Sequence, residues 1–173
     1  MKGFTLVEIL VSVSIFLILV VAAFSVMVVG SSAWFTGGTA VELRQEIIKA
    51  FMVMEKELKE TSPSHCGLAS GTSSASIVFE LPEDIDQDGT ILDLLGFVEF
   101  SGNSTTYMLN GANQTTKTRS GVTTVLANNI ASLQFTRPDT PIDIIEIDIT
   151  AQKKSGNSMI VQESGQIKVK MRN

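Results

Sequence analysis

The sequence predicts an α+β protein in which one long N-terminal helix, with a transmembrane half and an amphipathic half, packs on a C-terminal antiparallel β-rich head. Three observations favour this fold: an uncharged apolar run near the N-terminus, apolar residues at helical spacing after it, and short alternating segments over the rest of the 173 residues. The net charge is -5. This acidic balance argues against nucleic acid as a direct partner, because nucleic-acid binding calls for a basic surface.

The apolar run from Ile9 to Val29 is long enough to cross a membrane. As a helix, its 21 residues extend about 32 Å at roughly 1.5 Å per residue, and a bilayer core is about 30 Å thick. A cleaved secretory signal, cut beside Ser31 and Ala33, is the alternative, but the apolar part of such signals is usually shorter. Because Lys2 precedes the span and most of the chain follows it, we expect a single span with the head outside the cytoplasm.

Glu8 is the only ionisable residue between Phe4 and Val29. It either lies at the level of the lipid headgroups or needs a cation as partner, because a carboxylate inside a bilayer costs roughly 3 kcal/mol. Cleavage of the chain after Gly3 would create an amino group on Phe4, one helical turn from Glu8. The pattern therefore predicts an ion pair between a new N-terminus and this carboxylate.

The segment Gly3-Phe4-Thr5-Leu6-Val7-Glu8, with the apolar run that follows it, resembles the cleavage and methylation segment of type IV pilins and type II secretion pseudopilins. The resemblance covers residues 1 to about 30. It implies a leader peptide of residues 1–3, cleavage between Gly3 and Phe4 by a membrane prepilin peptidase, and N-methylation of Phe4. It also implies that Glu8 neutralises the amino terminus of a neighbouring subunit as helices pack into a filament.

Two helical halves are expected, a transmembrane and filament-core helix over residues 4–33 and an amphipathic helix over residues 34–62. Between them, Gly37 and Gly38 disfavour helix and mark a place where a long helix could bend or melt, so that a helix either restarts or continues there. Thr39 and Glu42 have the form of a capping box for a restart.

The amphipathic helix has one apolar stripe, which we expect to pack on the head, and Pro63 is expected to end it. The stripe consists of Leu43, Ile47, Ala50, Phe51, Met54 and Leu58. The charged residues on the other faces are the expected contacts with neighbouring subunits. They are Arg44, Glu46, Lys49, Glu55, Lys56, Lys59 and Glu60.

Residues 63–173 are predicted to form a β-rich globular head, beginning with a loop that extends to Ser74. Two segments alternate apolar residues with charges of opposite sign, acidic over 144–151 and basic over 166–171. Such half-buried strands are typical of antiparallel sheet, and we expect these two to pair. The full set of predicted strands is 75–81, 97–100, 105–109, 114–119, 123–126, 131–137, 144–151, 159–162 and 166–171.

No catalytic site is predicted. His65 and Cys66 are adjacent in the loop, but neighbours in sequence usually point apart, so a catalytic pair or a metal site is not expected there. A single cysteine also excludes an intrachain disulfide and a cysteine-based zinc site. A membrane-tethered enzyme is the weaker hypothesis, since the chain has one histidine, no nucleophile motif and no glycine-rich phosphate loop.

The head contains one candidate ion site. The segment 84–89, Asp-Ile-Asp-Gln-Asp-Gly, fits the start of a calcium loop, with carboxylates at alternate positions and a glycine for the sharp turn. The twelfth position is Leu95, where a bidentate Glu belongs, so that Asp93 or Glu99 would have to replace it. Ca²⁺ binding and an acidic solvated turn both remain open. The candidate ligands are Asp84, Asp86 and Asp88.

The head also resembles, over roughly residues 75–173, that of PilW-type minor pilins and J-type minor pseudopilins. The resemblance rests on the acidic loop, Val98-Glu99-Phe100, Tyr107 to Leu109, Leu126 to Ile130 and the C-terminal Met171-Arg172-Asn173. It implies a low-copy subunit of a tip or initiation complex, made with other pilin or pseudopilin subunits in the bacterial inner membrane. A membrane-anchored calcium-dependent adhesion or binding module is the alternative function.

Overall fold

A computed structural model describes residues 5–93, 95–156 and 158–172. Its first element is a single helix, α1, over Leu6–Glu60, followed by a short 3-10 turn over Pro63–His65. The helix continues through Gly37 and Gly38. Thr39 is not a cap, because its hydroxyl donates to the Phe35 carbonyl at 2.9 Å, as threonines inside helices commonly do. The capping box predicted at Thr39 and Glu42 is therefore wrong. The helix does not restart at a new cap in this segment.

The second half of α1 is attached to the head by the apolar stripe. Each of its six predicted residues is at least about nine-tenths buried, which confirms the stripe: Leu43, Ile47, Ala50, Phe51, Met54 and Leu58. Full burial of a large apolar side chain contributes roughly 2 kcal/mol. The stripe thus outweighs the exposed ion pairs of the same helix, which contribute only tenths of a kcal/mol each.

Eight strands form two antiparallel sheets within the described residues. In the first sheet the order is β1-β6-β7-β8, and the strands are β1 (Thr72–Ser74), β6 (Ile130–Arg137), β7 (Ile144–Lys154) and β8 (Ile160–Lys170). In the second sheet the order is β2-β3-β4-β5, and the strands are β2 (Ser76–Pro82), β3 (Phe100–Leu109), β4 (Thr115–Arg119) and β5 (Val122–Ala127). With the helix packed on them, the α+β fold is confirmed.

Three strand predictions differ from the structure. The segments 97–100 and 105–109 are not two strands, because β3 is continuous from Phe100 and passes through Gly102 at φ 76. The segments 159–162 and 166–171 are likewise one strand, β8. The short polar strand β1 was predicted as loop; it pairs with the end of β6, where Ser73 and Thr136 hydroxyls lie 2.8 Å apart.

The acidic and basic strands pair as predicted. β7 and β8 form an antiparallel hairpin in which Glu146 lies opposite Lys168, and the Lys168 Nζ is 2.6 Å from Glu146 Oε1. Apolar residues on the other face of β7, Ile145, Ile147 and Ile149, are buried. The hairpin therefore has one wet face and one face in the core.

Polar residues of α1 also hold the head. Glu42 accepts a hydrogen bond from Lys153, and Arg44 donates one to Glu163. Glu46 accepts a hydrogen bond from the backbone amide of Asn128 at 2.6 Å. Arg44 and Glu46, which were expected to face neighbouring subunits, thus both have partners within the same chain. The other charged residues of that group include an internal pair, Glu55 with Lys59 at 2.6 Å.

Candidate functional site

The N-terminus of α1 is organised by Thr5 and Glu8. The Thr5 amide and hydroxyl donate to Glu8 Oε2 at 2.8 and 2.9 Å, and the Glu8 amide donates back to the Thr5 hydroxyl at 3.3 Å. This is a capping box, which satisfies free amides at the helix start. The sequence contains the pattern for this cap, Thr-x-x-Glu, but a capping box was predicted only at Thr39 and Glu42.

The helix that follows this cap is exposed along its apolar run. All side chains from Thr5 to Ser31 are exposed, including the large apolar ones. The helix is long and apolar enough to cross a membrane, and none of its most apolar stretch is buried. An exposed apolar surface of this size needs a bilayer or other protein to cover it.

The predicted processing residues, Gly3 and Phe4, lie outside the described residues, as does the leader of residues 1–3. Glu8 lies within them, on the first turn of α1. Its carboxylate is fixed by Thr5, one residue beyond Phe4. If the chain began at Phe4, its amino group would belong to the residue directly before Thr5, which already donates to Glu8.

Residues 1–24 match the family model of the prokaryotic N-terminal methylation motif. The chain carries the type IV pilin and pseudopilin signature. For a pilin-like precursor of this kind the motif implies processing by a prepilin peptidase and assembly with other pilin subunits, and it suggests a structural subunit anchored in a membrane. Neither the curated proteins nor the solved structures gave a match to the pilin-like chain.

The acidic loop of the head forms a second cluster. Carboxylate oxygens of Asp84, Asp86 and Glu99 all lie within 4.8 Å of one another. Asp88 is not part of this group: its Oδ1 accepts from the amide and the hydroxyl of Thr90, at 2.8 and 2.9 Å. Of the predicted ligands, the structure therefore brings together Asp84 and Asp86. The third member of the group is Glu99, one of the two residues expected to replace the missing Glu.

Two features of the acidic loop favour a cation. The Oδ1 atom of Asp84 is inaccessible to solvent and has no hydrogen-bond partner. At Asp86, an amide of Asp88 lowers the pKa, but desolvation and repulsion from Asp88, Glu99 and Asp84 together raise that pKa above its ordinary value. Carboxylates that repel each other and leave an oxygen unpartnered match the donor set of a hard cation.

His65 and Cys66 point in different directions. His65 stacks on Phe100 with ring centroids 3.7 Å apart, and its Nδ1 is 2.8 Å from Glu80 Oε2. Cys66 is buried in the core, where desolvation raises the pKa of its thiol. Within the described part of the head, this arrangement offers no activated thiolate beside a base.

A buried polar cluster was missed from the sequence. Glu57 of α1 accepts hydrogen bonds from the Tyr107 hydroxyl and from Lys117, joining the helix to β3 and β4. Glu57 is 50 positions from Tyr107 and 60 from Lys117, and only the folded sheet brings them together. The alternation in β3 and β4 was a signal for their shared face, but no local pattern indicated Glu57.

Proposed function

We propose that the chain is a minor pilin or pseudopilin, a processed and membrane-anchored subunit of a type IV pilus-like or type II secretion filament. The observation that carries the proposal is the apolar run of α1, which lies largely within the methylation motif and whose side chains are exposed from Thr5 to Ser31. A bilayer covers this surface before assembly. Neighbouring helices cover it afterwards.

In this proposal the prepilin peptidase cuts between Gly3 and Phe4, Phe4 is N-methylated, and Glu8 pairs with the amino group of a neighbouring subunit. The capping box survives the cut, because Thr5 remains in the chain. An ion pair is stronger in apolar surroundings than in water, and an unpaired Glu8 in a filament core is penalised. The charge of Glu8 therefore selects subunits in the correct register.

The minor role and the place in a tip or initiation complex are the finer part of the proposal. They are supported by the likeness of the head to PilW-type and J-type subunits and by the unpaired cysteine, Cys66, which leaves the head without the C-terminal disulfide of many major pilins. The partners are other pilin or pseudopilin subunits. We place the precursor in the bacterial inner membrane with its head outside the cytoplasm, because Lys2 precedes the span.

The experiment compares Glu8→Gln with Thr5→Val in cells that assemble the filament. Glu8→Gln removes the charge but keeps an oxygen that accepts from the Thr5 amide. Thr5→Val removes the hydroxyl of the cap but keeps the charge. We expect both variants to insert in the membrane, Glu8→Gln to be missing from sheared filaments, and Thr5→Val to be present; equal incorporation of both would refute the role of Glu8.

A second proposal concerns the acidic loop. We propose that Asp84, Asp86 and Glu99 hold a calcium ion, supported by the unpartnered Oδ1 of Asp84 and the convergence of three carboxylates. Ca²⁺ takes six to eight oxygen ligands, so backbone carbonyls and water would complete the shell. Such a site would suit a membrane-anchored calcium-dependent adhesion or binding module as well as a filament subunit.

A further inference from the structure

The hairpin formed by β7 and β8 lies along α1 with its tip toward the membrane-spanning half. At the open end of the hairpin, the Arg172 amide donates to the Thr61 carbonyl at 2.9 Å. Near the middle, Gly165 lies against Phe51 and Ile47. Closer to the tip, the hairpin contacts earlier residues of the helix. Lys153 pairs with Glu42, and Gly156 lies against Phe35.

The position of Phe35 places this tip at the level of the lipid headgroups. Val29 ends the apolar run, and Trp34 lies five residues further along the same helix, about 7.5 Å at roughly 1.5 Å per residue. The interfacial layer on each side of a bilayer core is about 5–8 Å deep. When the run fills the core, Trp34 and Phe35 reach the headgroups, and Gly156 lies beside them.

The surface of the tip has the composition of a lipid contact. Met159 and Ile160 are 55% and 61% exposed, and Trp34 on the adjacent helix is 81% exposed. Lys154 adds positive charge, whereas the charge of Lys153 is paired with Glu42 of α1. No acidic residue lies between Asp148 and Glu163 in the sequence. Apolar and tryptophan side chains beside lysines are typical of segments that lie in the interface of anionic membranes.

The tip has a defined backbone conformation. The Ser155 amide donates to the Met159 carbonyl at 2.8 Å, and the Ser158 amide donates to the Ser155 carbonyl at 2.9 Å. These two hydrogen bonds join the backbone on the two sides of the tip. The exposed side chains of Met159 and Ile160 follow directly after it.

We propose that the hairpin tip, residues 153–156 and 158–160, docks on the surface of an anionic lipid bilayer as a second membrane contact beside the span. This inference rests on the proposed membrane insertion of α1. Two contacts fix the tilt of the head over the membrane before assembly. One contact alone would leave α1, with the head packed on it, free to change its tilt in the bilayer.

The test uses full-length chain in phosphatidylcholine–phosphatidylglycerol vesicles that contain brominated lipid. Trp34 is the only tryptophan, so that single-tryptophan variants report depth by quenching of their emission. The native chain reports on the helix, and W34F/M159W reports on the tip. W34F/V122W is the matched control: Val122 is 67% exposed and lies at the β4–β5 turn, at the far end of the head.

The remote position of this turn follows from two contacts. Asn128, just after β5, contacts Glu46, whereas Lys117, in the middle of β4, contacts Glu57, closer to the end of α1. Both strands thus run away from the span toward their turn. A tryptophan at position 122 is therefore expected to lie away from the bilayer that α1 spans.

We expect loss of emission and a blue shift for the native chain and for W34F/M159W, and no loss for W34F/V122W. W34F/I160W, at the neighbouring exposed position, gives the same result and replaces W34F/M159W if that variant misfolds. Adding Lys154→Gln to W34F/M159W should reduce the quenching of its tryptophan in vesicles that contain phosphatidylglycerol. It should leave this quenching unchanged in pure phosphatidylcholine.

Quenching of Trp34 without quenching at the tip would overturn the docking and leave membrane insertion standing. Absence of quenching at Trp34 would overturn insertion itself, and the docking with it. Tip quenching that appears only at a high ratio of protein to lipid would show contact with a second copy of the chain and would also overturn the proposal.

Discussion

Tyr107 donates a hydrogen bond to Glu57, and this contact ties the second sheet to the last turns of α1. The tyrosine is fully buried and Lys117 binds the same carboxylate. A neutral phenol is required for this bond, because a phenolate would repel Glu57. Burial first, and then the hydrogen bond and charge of Glu57, raise the pKa of Tyr107 far above its ordinary value.

The first prediction concerns alkaline pH. Because folding favours the neutral phenol, its contribution to stability is complete below the ordinary pKa of 10.0 and is lost as the pH rises toward the folded-state pKa. The chain has one tyrosine, so phenolate absorbance reports on it alone. In detergent-solubilised chain we expect phenolate to form only as the head unfolds.

Tyr107→Phe is the matched variant for this prediction. It keeps the ring but removes the bond to Glu57, and should lower the free energy of unfolding by roughly 1–3 kcal/mol. It should also reduce the loss of stability above pH 10.0. Phenolate formation near the ordinary pKa in a head that remains folded would contradict this account of the cluster.

The second prediction concerns the contact between β8 and the helix. A Cβ at Gly165 would lie 2.9 Å from Phe51 Cε2 and 3.1 Å from Ile47 Cγ2, closer than packed carbons approach. Gly165→Ala should therefore lower the free energy of unfolding by roughly 1–3 kcal/mol. Denaturant unfolding measures this.

Gly111→Ala is the control for Gly165, because no atom lies within 4 Å of the Cβ it adds. It should leave stability nearly unchanged. If the two alanines had equal effects, the close packing of β8 on the stripe of α1 would be wrong.

The third prediction concerns calcium at the acidic loop. Calcium that binds only the folded head raises its melting temperature, by an amount that grows with ion concentration. Asp84→Asn should remove this shift, because Asp84 is in the converging group. Asp88→Asn should largely keep it, since the Asp88 Oδ1 accepts from Thr90 instead. Absence of any shift in the native chain at millimolar calcium, or equal losses in both variants, would count against the site.

Local patterns predicted most of the fold. The helical stripe from Leu43 to Leu58 and the pairing of Glu146 with Lys168 both came from periodicity and charge, because each of these elements has one buried and one wet face. At Gly37 and Gly38 the same patterns left open whether the helix continues or restarts, and in the structure it continues. There, the helix on both sides holds the glycines in place, and their intrinsic preference is overridden.

The candidate sites were predicted only in part. The motif at Glu8 is local and was readable, and the family model matches it. The partner of Glu8 in the structure, Thr5, was overlooked because the capping box was assigned to Thr39. At the acidic loop, the sequence offered Asp93 and Glu99 as alternatives for the missing ligand. The spacing of the aspartates could not decide between them, because the choice depends on how the loop closes, and in the structure Glu99 joins the group.

The central claim is that a cut beside Phe4 creates the positive charge that Glu8 needs. Mass spectrometry of N-terminal peptides from purified filaments tests it most directly. We expect the chain to begin at Phe4 and to carry one added methyl group on its amino nitrogen. Filament-borne chains that still begin at Met1, or that begin near Ala33, would contradict the claim.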